Sequence, residues 1–138
     1  MQLKPVFFLL LASYTLPVFA ESPADKIDAA LEQCQNKAQT TIDSSECYGQ
    51  AMAAWDSELN TQYQALLKDN PESVRKALRA SQRQWIKYKD SYNEATNEFY
   101  RQEQGTIWGI IAAETRMNVI KDKALSLYRL RQSTQLGN

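Results

Sequence analysis

The segment from residue 74 to residue 99 carries the feature that most constrains the fold, a sustained seven-residue repeat. Apolar, aromatic or small side chains recur along it in alternating steps of four and three residues. They are Val74, Leu78, Ser81, Trp85, Tyr88, Tyr92, Ala95 and Phe99. Such a repeat is typical of a helix packed lengthwise on its neighbours at a shallow angle. We therefore predict a single helix from Pro71 to Gln104, about 50 Å long, with this seam in the core.

Two helix-start signals precede the long helix. Ser22, Pro23 and Asp25 are typical of an N-cap followed by a proline and an acid in the first turn. Asp43 with Glu46 predicts the start of a second helix in the manner of a capping box. One face of this second helix carries side chains at four-residue intervals, namely Cys47, Ala51, Trp55, Leu59 and Tyr63.

A glycine turn separates the long helix from the last one. Gly105 ends the long helix, Thr106 caps the next, and we predict the final helix from Ile107 to Arg131. Its predicted core residues are Ile110, Met117, Ala124, Leu127 and Tyr128. No segment carries a strand pattern. The sequence thus predicts an all-α fold, an antiparallel helical bundle in which shorter helices lie along a long two-helix hairpin.

The N-terminus predicts export. Lys4 precedes an apolar run that continues to Leu16, and Val18-Phe19-Ala20 places small residues at the positions that a signal peptidase reads. The run is too short to span a membrane, and a buried N-terminal helix is the weaker interpretation. We predict a signal peptide over residues 1–20, cleaved after Ala20, and a single helical domain over residues 21–138. This domain would be periplasmic or secreted, with no membrane span after cleavage.

Cys34 and Cys47 are the two cysteines of the chain. In an oxidising compartment, one disulfide between them is the economical inference. A reactive or metal-binding pair is the alternative. Their spacing is far from Cys-x-x-Cys, and the chain has no histidine to complete a zinc site. The disulfide is therefore the favoured interpretation.

The missing residue types also bear on catalysis and on partners. The absence of histidine excludes the commonest general base and the histidine-containing triads. Acidic pairs such as Glu94 with Glu98 could hold a hard cation, but are more often a solvated face. We expect no enzyme activity, no cofactor and no metal. Without the leader the net charge is −1, which predicts neither a nucleic-acid nor a membrane partner.

A basic stripe occupies the first half of the long helix. Its members recur every four residues and are Arg75, Arg79, Arg83 and Lys87. Because like charges at this spacing repel, we expect something anionic to face them. In the first interpretation the acidic first half of the chain itself lies against the stripe, since residues 21–70 carry a net charge of −6 and residues 71–138 carry +5. The second is an anionic partner surface.

The glycine turn is the other candidate surface. Trp108 lies in the first turn of the last helix, between Gly105 and Gly109. A tryptophan in this position could anchor a binding partner, as interface tryptophans often do. It could equally cover the end of the bundle core. Both interpretations stay open at the level of sequence.

Several motifs resemble the LprI-type lysozyme inhibitor family. Cys47 and the run Trp55–Tyr63 are similar to its Cys…D-x-x-L-N-x-x-Y signature, and Leu78–Asp90 resembles its L-x-x-[AS]-Q-x-x-W-x-x-[YF]-[RK]-D stretch. Gly105–Ile107 matches the glycine turn of the family. The similarity covers nearly all of residues 34–131. It implies a small, helical, secreted or periplasmic bacterial protein.

Named members of the family inhibit lysozyme, and this resemblance sets the leading hypothesis. The protein would be an exported, non-enzymatic binding protein that occludes a lysozyme-type hydrolase. The alternative is an envelope-associated interaction module that binds anionic envelope material, or another envelope protein, through the basic stripe. The candidate contact residues are Lys87, Lys89, Asp90, Gly105, Thr106 and Trp108.

Overall fold

The computed structural model describes residues 22–135, and four α-helices make up most of this part of the chain. They are α1 (Pro23–Lys37), α2 (Thr41–Lys68), α3 (Glu72–Arg101) and α4 (Ile107–Ser133). The predicted all-α fold class is confirmed, because no strand occurs between residues 22 and 135. Within the same range, no helix combines the length and the apolar character needed to cross a bilayer. The predicted signal peptide lies outside the described residues.

Capping boxes start the first two helices. In α1 the Ser22 hydroxyl accepts a hydrogen bond from the backbone N–H of Ala24 at 3.3 Å, and the Asp25 carboxylate accepts one from Ser22 at 2.9 Å. The predicted start of α1 is therefore confirmed. The predicted start of α2 is wrong by three residues. Thr40 is the N-cap, and Asp43 occupies the third helical position, where its carboxylate accepts the Thr40 N–H at 3.0 Å.

The disulfide between Cys34 and Cys47 confirms the predicted pairing and joins the end of α1 to the second turn of α2. Its Cα atoms are 5.6 Å apart. A second tie holds the other half of α1, where Lys121 of α4 donates to the Asp28 carboxylate at 2.7 Å. Helix α1 is thus fixed against both α2 and α4 although none of its residues is fully buried.

The core lies between α2 and α4, which run parallel. Lys121 lies over the ring of Trp55 at 5.5 Å, and further along both helices Arg131 donates to the Gln62 side chain at 3.2 Å. Residue numbers therefore increase together along the contact. The buried core cluster is Ala51, Trp55, Leu59, Leu66, Met117, Ile120, Ala124 and Leu127. Because α2 and α4 point the same way, α3 must return along the whole length of the molecule.

Helix α3 does not bury its heptad seam, and this prediction is wrong. Tyr88, Tyr92 and Phe99 are 57%, 41% and 66% exposed. The face turned toward the protein is offset from the seam by about 80° around the helix, at 3.6 residues per turn. It carries Leu78, Gln82, Trp85, Lys89, Asn93, Thr96 and Tyr100.

The composition of α4 explains the offset. Its large apolar side chains point toward α2, so the side left for α3 is mostly polar. There Arg116 donates to the Asn97 side chain at 2.8 Å, and the hydroxyls of Tyr100 and Thr115 lie 3.4 Å apart. The face of α3 that carries Asn97 and Tyr100 can make these hydrogen bonds, whereas the apolar seam residues Ala95 and Phe99 could not. Trp85 and Leu78 still pack against the core.

Candidate functional site

The structure divides the candidate contact residues into two separate groups. Lys87, Lys89 and Asp90 lie halfway along α3, whereas the turn residues lie beyond its end. Asp90 and Gly105 are separated by about 22 Å along the helix direction, at 1.5 Å per residue. The two groups therefore cannot form one small site. Each is a separate candidate surface.

The basic stripe of α3 is only partly neutralised, and by its own helix. Glu72 accepts hydrogen bonds from Arg75 at 2.9 Å and Arg79 at 3.1 Å. The hydrogen bond from Arg75, followed by that from Arg79, lowers the pKa of the Glu72 carboxyl below its usual value. Within residues 22–135, Arg83 and Lys87 have no carboxylate within ion-pair distance.

The acidic first half of the chain does not cover this stripe. Asp28 is engaged by Lys121 of α4, and Asp25 holds the backbone of Ser22. No carboxylate of α1 or α2 forms an ion pair with α3 within the described range. No direct ion pair in this range therefore supports the internal interpretation of the stripe. Arg83 and Lys87, which form the second half of the stripe, face solvent.

Lys89 differs from its neighbour Lys87 because it is turned toward the protein. Its ammonium group lies 5.9 Å from the centre of the Trp85 ring and 3.3 Å from the Asp90 carboxylate. Lys87 is exposed and extends away from the protein. Of the two lysines, Lys87 is the one free to meet a partner.

The turn between α3 and α4 is a protruding corner, which we define as residues 101–107. Every residue in it is exposed. Gly105 has a φ of +112°, a conformation that residues with a Cβ rarely adopt, and this fixes the direction of the turn. Thr106 is the N-cap of α4, yet its side chain makes no capping hydrogen bond. The Thr106 hydroxyl is thus available at the tip of the corner.

Trp108 supports the corner from beneath. Its indole Nε1 donates to the backbone carbonyl of Gln104 at 3.0 Å, and its ring stacks on Tyr100 with centroids 5.9 Å apart. The side chain is half-buried. Its polar atom and one ring face are engaged within the chain, which favours a supporting role for Trp108 over that of an anchor for a partner.

Sequence reasoning missed a groove between α3 and α4, because it assigned the aromatic seam to the core. The groove has a volume of about 510 Å³. It is lined on the α3 side by Trp85, Tyr88 and Tyr92, and on the α4 side by Thr115, Asn118, Val119, Asp122, Lys123 and Ser126. Partial burial lowers the pKa of the Lys123 ammonium. The polar residues recurring every three or four positions along α4 were the signal that could have revealed it.

The groove continues toward the corner as a more apolar channel of about 330 Å³, which shares Tyr92 and Thr115 with it. Phe99 and Tyr100 line this continuation. Nowhere in the part of the chain that the structure describes do three potential metal ligands of the His, Cys, Asp or Glu type cluster. The candidate binding surfaces are therefore the corner, the basic stripe of α3 and the aromatic groove.

Comparison with known proteins assigns the chain to a family. Residues 34–127, most of the chain, match the family described as lysozyme inhibitor LprI. A crystal structure of an uncharacterized protein from Burkholderia thailandensis is similar, with a TM-score of 0.71 and 29% sequence identity over 75% of this chain. The match covers 52% of that longer chain. No curated protein matches the sequence. On the evidence of the family match, the chain belongs to the LprI lysozyme inhibitor family.

Proposed function

We propose that this protein is an exported, non-enzymatic binding protein that inhibits a lysozyme-type cell-wall hydrolase by occluding its cleft. The observation that carries the proposal is the family match over residues 34–127. The Cys34–Cys47 disulfide supports export, since such bonds persist in oxidising compartments. In this proposal residues 1–20 are removed after Ala20, and residues 21–138 act as one domain in the periplasm or outside the cell.

The protruding corner is the part of the molecule best shaped to enter a cleft. Lysozyme-type glycosidases depend on two carboxyl groups that face each other across an open cleft. Thr106 presents a hydroxyl donor without a capping partner, and Gly105 holds it at the tip of a turn. A hydrogen bond from a hydroxyl to a carboxylate is short and stronger than a neutral one. The corner would thus bind where the glycan must bind.

One carboxylate of the corner fits a basic target. Glu103 is exposed and has no ion-pair partner among residues 22–135, whereas the nearby Glu98 is neutralised by Arg101 at 3.1 Å. Common lysozymes are strongly basic, and opposite charges raise the rate of association. The electrostatic attraction would come from this local charge, because the net charge of residues 21–138 is only −1.

A lysis assay with purified residues 21–138 tests the proposal. We expect the wild-type protein to suppress lysozyme-driven clearing of a bacterial suspension. Thr106→Asp replaces the donor by a carboxylate at a helix N-terminus, where a negative charge is tolerated. It should weaken inhibition about tenfold or more because it repels the carboxylates of the cleft. Ser57→Asp, which adds the same charge to an exposed site on α2, is the matched control.

Two results would contradict the proposal at different levels. Unchanged lysis at a large molar excess of the wild-type protein would remove hydrolase inhibition as the function. Full inhibition by the Thr106→Asp variant would keep the function but exclude the corner as the occluding element. Circular dichroism spectra of the variants establish that both are folded.

A second candidate function follows from the uncovered half of the basic stripe. Arg83 and Lys87 face solvent without a carboxylate partner among residues 22–135, so they fit an anionic envelope polymer. Retention on lipopolysaccharide should then fall as salt is raised, because screening weakens exposed charge pairs. The double variant Arg83→Gln/Lys87→Gln should abolish retention, whereas Lys37→Gln/Lys68→Gln should not. Salt-independent retention would exclude this function.

A further inference from the structure

The groove between α3 and α4 has one wall made of aromatic rings. The rings of Tyr88 and Tyr92 are stacked with centroids 5.7 Å apart and planes inclined by 18°. Trp85 adjoins them one turn earlier on the same helix. Large exposed aromatic surface is unfavourable in water, and here it is continuous rather than scattered. The bundle leaves Tyr88 and Tyr92 uncovered, whereas Trp85 is half-buried and lines the inner end of the wall.

The opposite wall carries four polar side chains that have no hydrogen-bond or ion-pair partner among residues 22–135. Asn118, Asp122 and Ser126 follow one another at four-residue intervals along α4, with Lys123 beside them. In the part of the chain from 22 to 135, these four side chains make no hydrogen bond or ion pair. The Lys123 ammonium group lies over the Trp85 ring, 6.0 Å from its centre. The wall therefore offers an amide, a carboxylate, a hydroxyl and an ammonium group to a ligand.

We propose that this groove binds an uncharged oligosaccharide. The apolar C–H faces of a sugar ring stack on aromatic side chains, while its hydroxyls both donate and accept hydrogen bonds. Binding sites of this type combine an aromatic wall with a few polar groups that fix orientation. From Trp85 to Tyr92 the aromatic wall is about 10 Å long, enough to hold two or three linked rings. The groove is open at the surface, so a long glycan could cross it.

The polar wall argues against a helix as the occupant. A helix packed on the aromatic seam would cover Asn118, Asp122 and Lys123 without satisfying their hydrogen bonds, which is unfavourable. A polyanion is disfavoured as well, because Asp122 offsets the charge of Lys123 in the groove, and the basic stripe of α3 lies on another side of the helix. An uncharged polyhydroxyl chain can stack on the aromatic wall and also form hydrogen bonds with the polar wall. This inference is independent of hydrolase inhibition, and a lysis assay would not decide it.

Titration followed by nuclear magnetic resonance tests the proposal. Residues 21–138, labelled with ¹⁵N, are titrated with a tetramer of β-1,4-linked N-acetylglucosamine and, separately, with cellotetraose. We expect saturable shifts in the amide signals of Tyr88, Tyr92, Asn118 and Ser126. The affinity should be the same at low and high salt, because no net charge is neutralised on binding. Binding of either sugar supports the proposal, and the difference between them reports on the acetamido group.

Substitutions at exposed positions separate stacking from general effects on the fold. Tyr88→Ser should raise the Kd about tenfold or more, which corresponds to the loss of one stacked ring. Tyr88→Phe keeps the ring and should retain binding. Ile42→Ser removes an apolar side chain that is 69% exposed on α2, far from the groove, and serves as the matched control.

Four outcomes would overturn the proposal. The first is the absence of saturable shifts with both sugars, and the second is shifts confined to residues outside the groove. The third is a dimer in light scattering that Tyr88→Ser converts to a monomer, which would assign the aromatic wall to contact with a second copy. Equal weakening by Ile42→Ser and Tyr88→Ser would also count against a specific site.

Discussion

At the scale of single residues, two glycines have opposite roles, one within the corner and one just beyond it. Gly105 has a φ of +112°, and substitution by a residue with a Cβ is strained there. Gly109 lies inside α4 with ordinary helical backbone, and a Cβ added to it would meet open space. The first glycine is required by the turn, whereas the second only weakens the helix.

We therefore predict stability changes of opposite sign. Gly105→Ala should lower the free energy of unfolding by about 1–3 kcal/mol, because it strains the backbone. Gly109→Ala should raise it by about 0.5–1 kcal/mol, because alanine is the better helix former. Urea unfolding monitored by circular dichroism measures both. A stabilising Gly105→Ala would mean that the corner adopts another conformation in solution.

Asp43 gives the molecule an acid-sensitive helix start. Backbone hydrogen bonds from Gln39 and Thr40, together with the Thr40 side chain, lower the pKa of the Asp43 carboxyl below its ordinary value of 3.8. A carboxyl with a lowered pKa stabilises the folded state above its ordinary pKa. This stabilisation is lost as the pH falls through the pKa of the folded state.

We predict that the urea midpoint of the wild-type protein falls as the pH drops below about 4, and that part of this fall is absent in Asp43→Ala. The variant should be less stable at neutral pH and should approach the wild type in acid. Lys37→Gln, which changes an exposed charge near the same turn, is the control. Identical pH profiles for the wild type and Asp43→Ala would refute the role of this carboxylate.

At the scale of helices, α1 depends on its two ties. The Cys34–Cys47 bond holds its end, and the ion pair of Asp28 with Lys121 holds its middle. Its apolar contacts are few, since Ile27 and Leu31 are only half-buried against the core. Helix α1 is therefore the element whose position relies most on the disulfide.

Removing the disulfide should lower the free energy of unfolding by about 3 kcal/mol, the value expected for a loop of this length. The double variant Cys34→Ser/Cys47→Ser avoids a free thiol. We expect faster hydrogen exchange at the amides of α1. The amides of α2 and α4 should stay protected once the lower free energy of unfolding of the whole protein is taken into account. Loss of protection that is uniform over all four helices would show that α1 does not open separately.

Local sequence patterns predicted the positions of the helices well, but they predicted only in part which helix faces are buried. The start of α1 was predicted correctly because a capping sequence is a local pattern. The buried stripe of α2 was also correct, because a four-residue period marks a single face of a helix; its members are Cys47, Ala51, Trp55 and Leu59. The start of α2 was misplaced because Asp43 is the acidic member of a box that Thr40 begins. The seam of α3 was misplaced because periodicity identifies an apolar face but not whether the molecule covers it.

At the scale of the whole molecule, α3 is the least buried long helix. Of its residues only Thr96 is fully buried, and the Asn93 side-chain oxygen is buried without a partner in the described part of the chain. By contrast, α2 and α4 contribute every large side chain of the core cluster. The packing is thus asymmetric, with two tightly joined helices and a third that is held mostly by polar contacts.

We predict that α3 opens at a lower free energy than the rest of the core. Native-state hydrogen exchange should show earlier exchange for the amides of residues 86–101 than for Trp55–Leu66 or Met117–Leu127, because local stability follows buried apolar contact. Arg116→Ala, which removes the hydrogen bond to Asn97, should widen the difference. Equal opening free energies for the three helices would contradict this asymmetry.

The candidate sites were only partly predictable for the same reason. The corner followed from Gly105 and Thr106, since a glycine turn is a local signal. That Trp108 is a support could not be deduced, because it depends on the ring of Tyr100 one helix away. The groove could not be predicted without knowing how α3 is rotated relative to α4. That rotation depends on the hydrogen bonds between polar side chains of the two helices.

The parallel arrangement of α2 and α4 determines when this chain can first fold. Trp55, which has no exposed surface, packs with residues that lie about 65 positions later, such as Lys121 and Ile120. A nascent chain that ends before α4 lacks half of the buried core cluster, namely Met117, Ile120, Ala124 and Leu127, so nearly the entire polypeptide must emerge before this core can form. We therefore expect the chain to lack a packed core until its last helix has been made, and an unfolded chain is the form that can pass through a narrow membrane channel.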